Sequence, residues 1–388
     1  MKVILAALLL VHGALHGLGF AKGLGLADVP AIQTRIGPVE GVLWLGAGLL
    51  LAAAAILLVA APRRWWVPAA VGVLLSQLLI AGAWPDAGWG TVANAVLLVP
   101  IALTVADLRP TSLRSRYVRE VQEQLSTRPA PERILGEADL VGLPPAVRTY
   151  IERTGAVGQP RLRNLHAVFR ARIRSGPDAA WMEGPAEQVE FFDPPARYFF
   201  MRAGRAGVPV EVFHRYAGTA ATMEGRLAGL VPVLDGAGAE MTRSETVTLL
   251  NDMAVLAPAA LVDAPIEWEV VDDRTVRATY INVGHRVSAT LRFDSRGDLI
   301  GFESRDRYRA RGRGFERDRW ATPLRGVRGY GGHRLPGGGE ARWGEAGEEW
   351  TYGDFELESI AYNIAAPYVR TAAVPAAPAP LRGSVPDR

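Results

Sequence analysis

Along the first 108 residues, apolar side chains come in long unbroken runs; beyond that point they alternate with charges. Four of the runs, over residues 3–20, 41–61, 65–84 and 89–106, approach the ~20 residues that a helix needs to cross a bilayer. The first is short enough to be read as a signal peptide. However, a single lysine precedes it, two histidines lie inside it and no small-x-small cleavage site follows Phe20, so a retained helix is expected. Trp44, Trp65, Trp66, Trp84 and Trp89 fall mostly at the ends of the runs, where interfacial aromatics belong. The pattern predicts a four-span anchor over 1–108.

Residues 109–130 read as an amphipathic juxtamembrane linker. Leu113, Tyr117, Val121 and Leu125 recur every fourth residue with Arg114, Arg116 and Arg119 between them, a pattern that predicts a helix lying on an anionic leaflet. RPAPE at 128–132 breaks it, and a second helix is expected over 144–154, started by prolines and stopped by Gly155.

From Leu165 onward the period becomes two. LHAVFRARIR, QVEFF, RYFFM, VEVFHRY, ATMEGRL, IEWEV, VRATYI, RVSATLRF, LIGFES and EEWTYGDFELESIAYN read as strands, separated by turn signals such as DPPAR, VDDR and DSRGD. The Arg296-Gly297-Asp298 tripeptide invites an adhesion reading, but a hairpin turn with a positive-φ glycine explains it. One helix is expected at 244–256, capped by Ser244 and stopped by Pro258. The polar domain, 131–370, is therefore predicted to be one antiparallel sheet of about ten strands with a helix across it, and so wide a sheet curls around a cavity. The predicted fold class is thus a membrane α-helical part of four spans followed by an α+β part, a curled antiparallel sheet with a covering helix. An Ala/Pro-rich tail at 371–388 is expected to be disordered.

Charge sharpens this division. Residues 1–108 hold nine charged side chains and the rest of the chain holds 74, which excludes both a uniform soluble enzyme and a wholly embedded transporter. Basic residues Lys2, Arg63, Arg64, Arg109, Arg114, Arg116 and Arg119 flank one side of the spans, against Lys22 and Arg35 on the other. By the positive-inside rule both termini and the polar domain are then expected in the cytoplasm. The net charge of +3 lacks the local basic density that nucleic acid requires. Of the 43 basic residues only Lys2 and Lys22 are lysine, the imprint of a GC-rich genome, so arginine content carries little functional meaning. With no cysteine, disulfides, thiolate metal sites and cysteine nucleophiles are excluded.

Candidate chemistry is sparse. Within the spans, His12 and His16 lie one turn apart on one helix face, and Gly13 and Gly17 make a small-xxx-small ridge beside them. His16, Gln77 and Asn94 fall at similar depth, so His12, His16, Gln77 and Asn94 are candidates for an intramembrane polar layer. Such a layer acts as interhelical hydrogen bonding, or as a metal, haem or proton site. In the polar domain no histidine has a ligand partner at metal-helix spacing, and no nucleophile elbow is present. GYGGHRLPGGGE at 329–340 lacks the Lys-Ser/Thr of a phosphate loop and reads as a flexible turn. Neither a metal nor a cofactor is predicted. The most suggestive group is Asp306, Tyr308, Trp320, Thr322, Tyr330, Trp343, Trp350 and Tyr352, which either lines a ligand mouth or closes the sheet as a structural network. Arg307 points to the opposite strand face from its neighbours and is set aside.

Several stretches carry a resemblance. LPPAVRTYIERTGAVGQP (143–160), WMEGPAEQVEFFDPPARYFFM (181–201), SETVTLLNDMAVLAPAAL (244–261), DRYR (306–309), RWATP (319–323) and WTYGDFELESIAYNI (350–364) resemble a bacterial family of unknown function in which such a domain follows several membrane spans. The strand pattern also looks like the lipoprotein-localisation half-barrel. That likeness implies a fold that carries acyl chains or senses hydrophobic ligands. This chain departs from that type in lacking a lipobox cysteine and in placing its domain in the cytoplasm.

Three functions are consistent with these features. The first is a membrane-anchored, non-catalytic module that binds or senses a lipid-like or other hydrophobic ligand. The second is an assembly partner whose glycine-rich first helix packs against another membrane protein. The third is a lipid-acting hydrolase or transferase using Asp306 or Glu349 with His333. The first is the leading expectation, since no catalytic constellation is apparent.

Overall fold

The computed structural model describes residues 2–128, 133–205, 208–311 and 314–366. The expected tail and most of the RPAPE break lie outside these residues. Apolar helices α1 (Lys2–Gly23), α2 (Pro38–Ala60), α3 (Trp66–Gly82) and α5 (Gly90–Leu108) pack side by side, with a one-turn helix α4 (Trp84–Ala87) between α3 and α5. Three stretches are long and apolar enough to cross a membrane: α1, α2, and the one that begins with α5; α3 is apolar but has only 17 residues. Close packing of α1 on α2 depends on glycine. A Cβ on Gly48 would lie 2.6 Å from the Gly13 carbonyl oxygen, and one on Gly23 would lie 2.6 Å from the Gly41 Cα. The glycine ridge of α1 is thus engaged largely by α2 of the same chain, while Gly17 faces open space.

Helix α6 (Leu113–Thr127) starts where the Ser112 hydroxyl accepts the Ser115 N–H at 3.1 Å. Its apolar face does not lie on a leaflet. Leu113, Tyr117, Val121 and Leu125 are buried against Val189, Phe191, Tyr198, Phe200 and Phe213 of the sheet. Arginines that the sequence assigned to lipid instead find carboxylates: Arg114 pairs with Glu187, and Arg116 reaches Glu224 at 2.7 Å. A complementary hydrophobic face on the protein removes more apolar area from water than the edge of a headgroup layer would. A short helix α7 (Pro145–Arg153) follows, ended by Gly155 at φ +75°.

The rest is a single 13-stranded antiparallel sheet in the order β6-β5-β4-β3-β2-β1-β13-β12-β11-β10-β9-β8-β7. One arm comprises β1 (Asn164–Ile173), β2 (Met182–Phe192), β3 (Pro195–Arg205), β4 (Val208–Ala217), β5 (Ala220–Leu227) and β6 (Val231–Gly236). The other comprises β7 (Ile266–Asp272), β8 (Thr275–Asn282), β9 (His285–Phe293), β10 (Leu299–Arg311), β11 (Gly314–Tyr330), β12 (His333–Trp343) and β13 (Trp350–Tyr362). The arms join where β1 pairs with β13, and α8 (Ala239–Leu256) connects the two outermost strands.

That connection curls the sheet. Helix α8 packs on β5 and also on β9, β10 and β12. In a flat sheet β5 and β9 would stand ~43 Å apart at ~4.8 Å per strand, several times the width of a helix. The two arms even touch, since Asn282 of β8 donates to the Tyr216 hydroxyl of β4 at 2.6 Å. The expected half-barrel with a covering helix is the observed architecture.

Details differ from the sequence reading. Proline, glycine and charge hide strands β6, β11 and β12 from the alternation pattern. Pro323 pairs with Gly301 of β10 and sits where the β11–β12 register skips from Ala321 to Leu324. The glycine stretch at 337–339 is strand rather than flexible turn, and a Cβ on Gly338 would lie 2.6 Å from the Phe355 carbonyl. Helix α8 begins five residues before the expected cap, because AEMTR is helix-compatible. Ser244 bonds back to the Glu240 carbonyl at 2.8 Å instead of capping. In the Ser-Arg-Gly-Asp turn, Gly297 takes φ +85° and Asp298 is buried, held bidentately by Arg153 at 3.0 Å, which removes it from any adhesion surface.

Candidate ligand-binding site

Inside the curl, α8 faces the sheet with polar groups. Glu245 and Asp252 are seven residues apart, two turns along one face of the helix. Opposite them, alternation on the first arm turns inward Gln188 and Glu190 of β2, Arg197 and Phe199 of β3, and His214 and Tyr216 of β4. Arg197 is the hub. Its Nε donates to Asp252 at 2.8 Å, Nη1 to Glu245 at 3.2 Å, and Nη2 to the Gln188 side-chain Oε1 at 2.8 Å. Gln188 in turn donates to Asp252 at 2.8 Å and to Glu190 at 3.0 Å. From the second arm, Arg307 of β10 reaches Glu245 at 3.4 Å.

Burial decides the protonation of this network. It pushes Glu190 well above the ordinary carboxyl range, with Asp252 adding repulsion, which favours its protonated form. One of its oxygens has no partner among the described residues. Burial also pushes His214 down to about 4 against the pull of Glu245, whose Oε1 lies 3.2 Å from the ring nitrogen. Burial works to raise Glu245 as well, but neighbouring positive charge outweighs it and holds the carboxyl below its usual range.

Arg307 links the network to an aromatic group. Its guanidinium lies 4.4 Å from the Trp320 ring and 5.8 Å from that of Trp343. Trp320 Nε1 donates to the Tyr352 hydroxyl at 2.9 Å, Trp343 stacks on Tyr352 at 5.7 Å, and Trp350 meets Tyr352 edge-on at 6.2 Å. Phe355 continues the row, against Phe169 at 6.1 Å and Phe199 at 6.2 Å. Trp320 and Trp343 are buried, whereas Trp350, Tyr352, Phe355 and Phe199 are half-buried.

Of the eight residues expected at a ligand mouth, the structure therefore brings together Trp320, Trp343, Trp350 and Tyr352. Asp306 is tied instead to Arg243 at 2.6 Å and to the Ser288 N–H at 2.8 Å. The Tyr308 hydroxyl accepts from Arg317 at 3.2 Å, and the Tyr330 hydroxyl donates to the Leu357 carbonyl at 2.9 Å. Thr322 is buried, its hydroxyl unpartnered among the described residues. Arg307, set aside on alternation, is the residue that joins the group; the register against β11 shifts between Ser304 and Arg307. Nor are the suggested acid/base residues assembled. Glu349 binds Arg319 at 2.6 Å, Asp306 has the partners just given, and His333 packs on Tyr362 at 4.7 Å beside a cleft with room for about one water.

In the helical part, His12, Gln77 and Asn94 meet. His12 Nε2 lies 2.9 Å from Asn94 Oδ1, and Asn94 donates to Gln77 at 3.0 Å and to Ser76 at 3.0 Å. Ser76 was not anticipated. His16 stands one turn away, its Nδ1 2.9 Å from the His12 carbonyl and its ring 5.1 Å from Trp44.

A family profile matches residues 133–355, more than half of the chain. The chain belongs to a family of unknown function, DUF6544. The DUF6544 region contains the whole buried network and the aromatic row up to Phe355, and it leaves α1–α6 outside. Two solved structures are distantly similar. One is a domain ascribed to outer membrane lipoprotein sorting from Vibrio parahaemolyticus, with 7% identity, TM-score 0.32, and 52% of this chain and 85% of that chain covered. The other is a DUF1329 family protein from Desulfovibrio piger, with 13% identity, TM-score 0.24, and 56% of this chain and 90% of that chain covered. No curated protein matches the sequence.

Proposed function

We propose that this protein is a membrane-anchored, non-catalytic module that binds a lipid-like ligand along the aromatic row inside the curled sheet. One observation carries the reading: four large aromatics, Phe199, Trp350, Tyr352 and Phe355, stay half-buried on the concave face, whereas Trp320 and Trp343 beside them are buried. Helix α8 packs its backbone on β5, β9, β10 and β12 and reaches β2 and β3 through Asp252 and Glu245. Arg307, paired with Glu245 and lying over Trp320, gives this surface a guanidinium edge that suits the polar head of an amphiphile. The charged network around Arg197 fills the remainder, so the ligand lies beside α8 and not beneath it.

In this reading four helices, α1, α2, α3 and α5, anchor the module in the bacterial inner membrane. The basic residues flanking them support a cytoplasmic domain.

The test is titration of the full-length protein in nanodiscs with a fluorescent long-chain fatty acid. Saturable binding above that of empty nanodiscs is expected, and Trp350→Ala or Tyr352→Ala should weaken it about tenfold, the effect of losing ~1.4 kcal/mol of contact. Tyr308→Phe should leave it unchanged. Binding that is absent, or indifferent to Trp350 and Tyr352, sinks the proposal.

A further inference from the structure

The outermost hairpin of the first arm carries a surface that the fold does not use. Every residue from Val231 to Asp235 of β6 is exposed, so the strand is open on both faces. Those faces are apolar. Val231 is 55% exposed and Val233 56%, with Leu227, Leu230 and Leu234 also exposed. A solvent-facing edge strand ordinarily carries charge to discourage association. Here charge begins only at Asp235, and Pro232 removes one donor from the edge.

The position of the hairpin supplies the partner. Helix α5 ends at Leu108, and the residues just beyond it hold the β5–β6 turn. Arg109 donates to the Gly229 carbonyl at 3.4 Å, and Arg226 of β5 donates to the Thr111 carbonyl at 3.4 Å. Arg202 of β3 pairs with Asp107 at the end of α5 and with Glu211 of β4. If α5 crosses a bilayer, the headgroup layer lies at this level, and the turn lies with it.

We infer that the β5–β6 hairpin is a second membrane contact: Leu230, Val231, Val233 and Leu234 insert into the interfacial layer of the bilayer that α5 crosses. Arg109 and Arg226 keep their guanidinium groups among the phosphates while the neighbouring apolar side chains reach the acyl boundary. A contact at the end of the last span and another at the sheet edge fix the orientation of the domain, which a single covalent tether would leave free. The inference rests on the apolar helices being membrane spans and is independent of the ligand.

The chain has no cysteine, so Leu230→Cys and Val233→Cys, each labelled with an environment-sensitive fluorophore, report on one site at a time. Val270→Cys on the opposite edge strand, 58% exposed, is the control. In nanodiscs containing lipid with a quencher near the carbonyl level, label at 230 and 233 should be quenched severalfold more than label at 270. Equal quenching at the three positions overturns the inference. So does a disulfide between two copies of the unlabelled Leu230→Cys variant without lipid quenching of the labelled one, which would assign the edge to a second copy of the chain. As a readout free of the label, Val231→Asp with Val233→Asp should raise proteolytic cleavage of the hairpin in nanodiscs, and unchanged cleavage also counts against it. Fatty-acid titration of the same variants separates this surface from the ligand site, since the hairpin substitutions should leave that binding intact.

Discussion

Gln188, Glu190, Arg197, His214 and Glu245 are polar side chains in a place where an alternating strand and an apolar helix would be expected to meet through hydrocarbon. Their burial makes two of them sensitive to pH in opposite directions. His214 is held near 4 in the folded protein against 6.5 when free, so the unfolded chain takes up a proton first as pH falls. Its contribution to stability is complete above about pH 6.5 and is lost as pH drops toward 4, an effect of about 3 kcal/mol at most. His166, buried on the convex face near Arg114 and likewise pushed to about 4, contributes with the same sign. Glu190 acts the other way, because its folded carboxyl keeps its proton after the unfolded one has lost it, so stability falls as pH rises toward its folded value. Each slope is therefore seen by difference. Melting temperatures from pH 5 to pH 8 should show His214→Gln with a shallower acid-side decline than the wild type, the remainder belonging to His166. Glu190→Gln should gain on the wild type toward pH 8, and parallel curves would refute the assignment. Arg197→Met tests the hub: with the neighbouring carboxylates left unpaired, a loss of ~3–5 kcal/mol is expected.

At the scale of elements, α6 belongs to the sheet. Tyr117 packs between Phe200 at 5.8 Å and Phe213 at 6.0 Å, and Arg116 and Glu120 bind residues of β5 and β4. The family match begins at residue 133 and omits this helix. A fragment starting at Ser112 should accordingly aggregate less than one starting at Arg133, which bares Val189, Phe191, Tyr198, Phe200 and Phe213 and should bind a hydrophobic dye more strongly. Size-exclusion chromatography of the two decides it; equal behaviour would make α6 dispensable. The same helix explains why the network was illegible in sequence. In QVEFF, Val189 and Phe191 alternate with Gln188 and Glu190, and polar residues on one face of a strand ordinarily mean water. Here α6 covers the apolar face and α8 the polar one, so both are interior.

For the whole molecule, the charges flanking the apolar helices make a single directional prediction. A reporter fused after Arg388 should be active only as a cytoplasmic fusion, as the basic residues at Lys2, Arg63, Arg64 and Arg109 imply. Activity in the periplasmic form would reverse the topology while leaving the fold and the hairpin contact untouched.

Local pattern was sufficient for the apolar helices, for most strands, for the turn at Gly297 and for the curl of the sheet, because each follows from hydrophobic period, turn chemistry or sheet width; the half-barrel class came from resemblance to a known fold. Part of the candidate site was legible too. Trp320, Trp343, Trp350 and Tyr352 stood out by residue type alone, though not their union with Arg307, which turns on a register shift that alternation cannot foresee. Only the tertiary structure decided which strand face is inside, that Glu245 and Asp252 meet Arg197, and that the arginines of α6 answer carboxylates and not lipid. The reason is topological. Helix α8 ties the outermost strands together and folds the sheet on itself, so the partners of a buried charge lie on strands far apart in sequence and in sheet order.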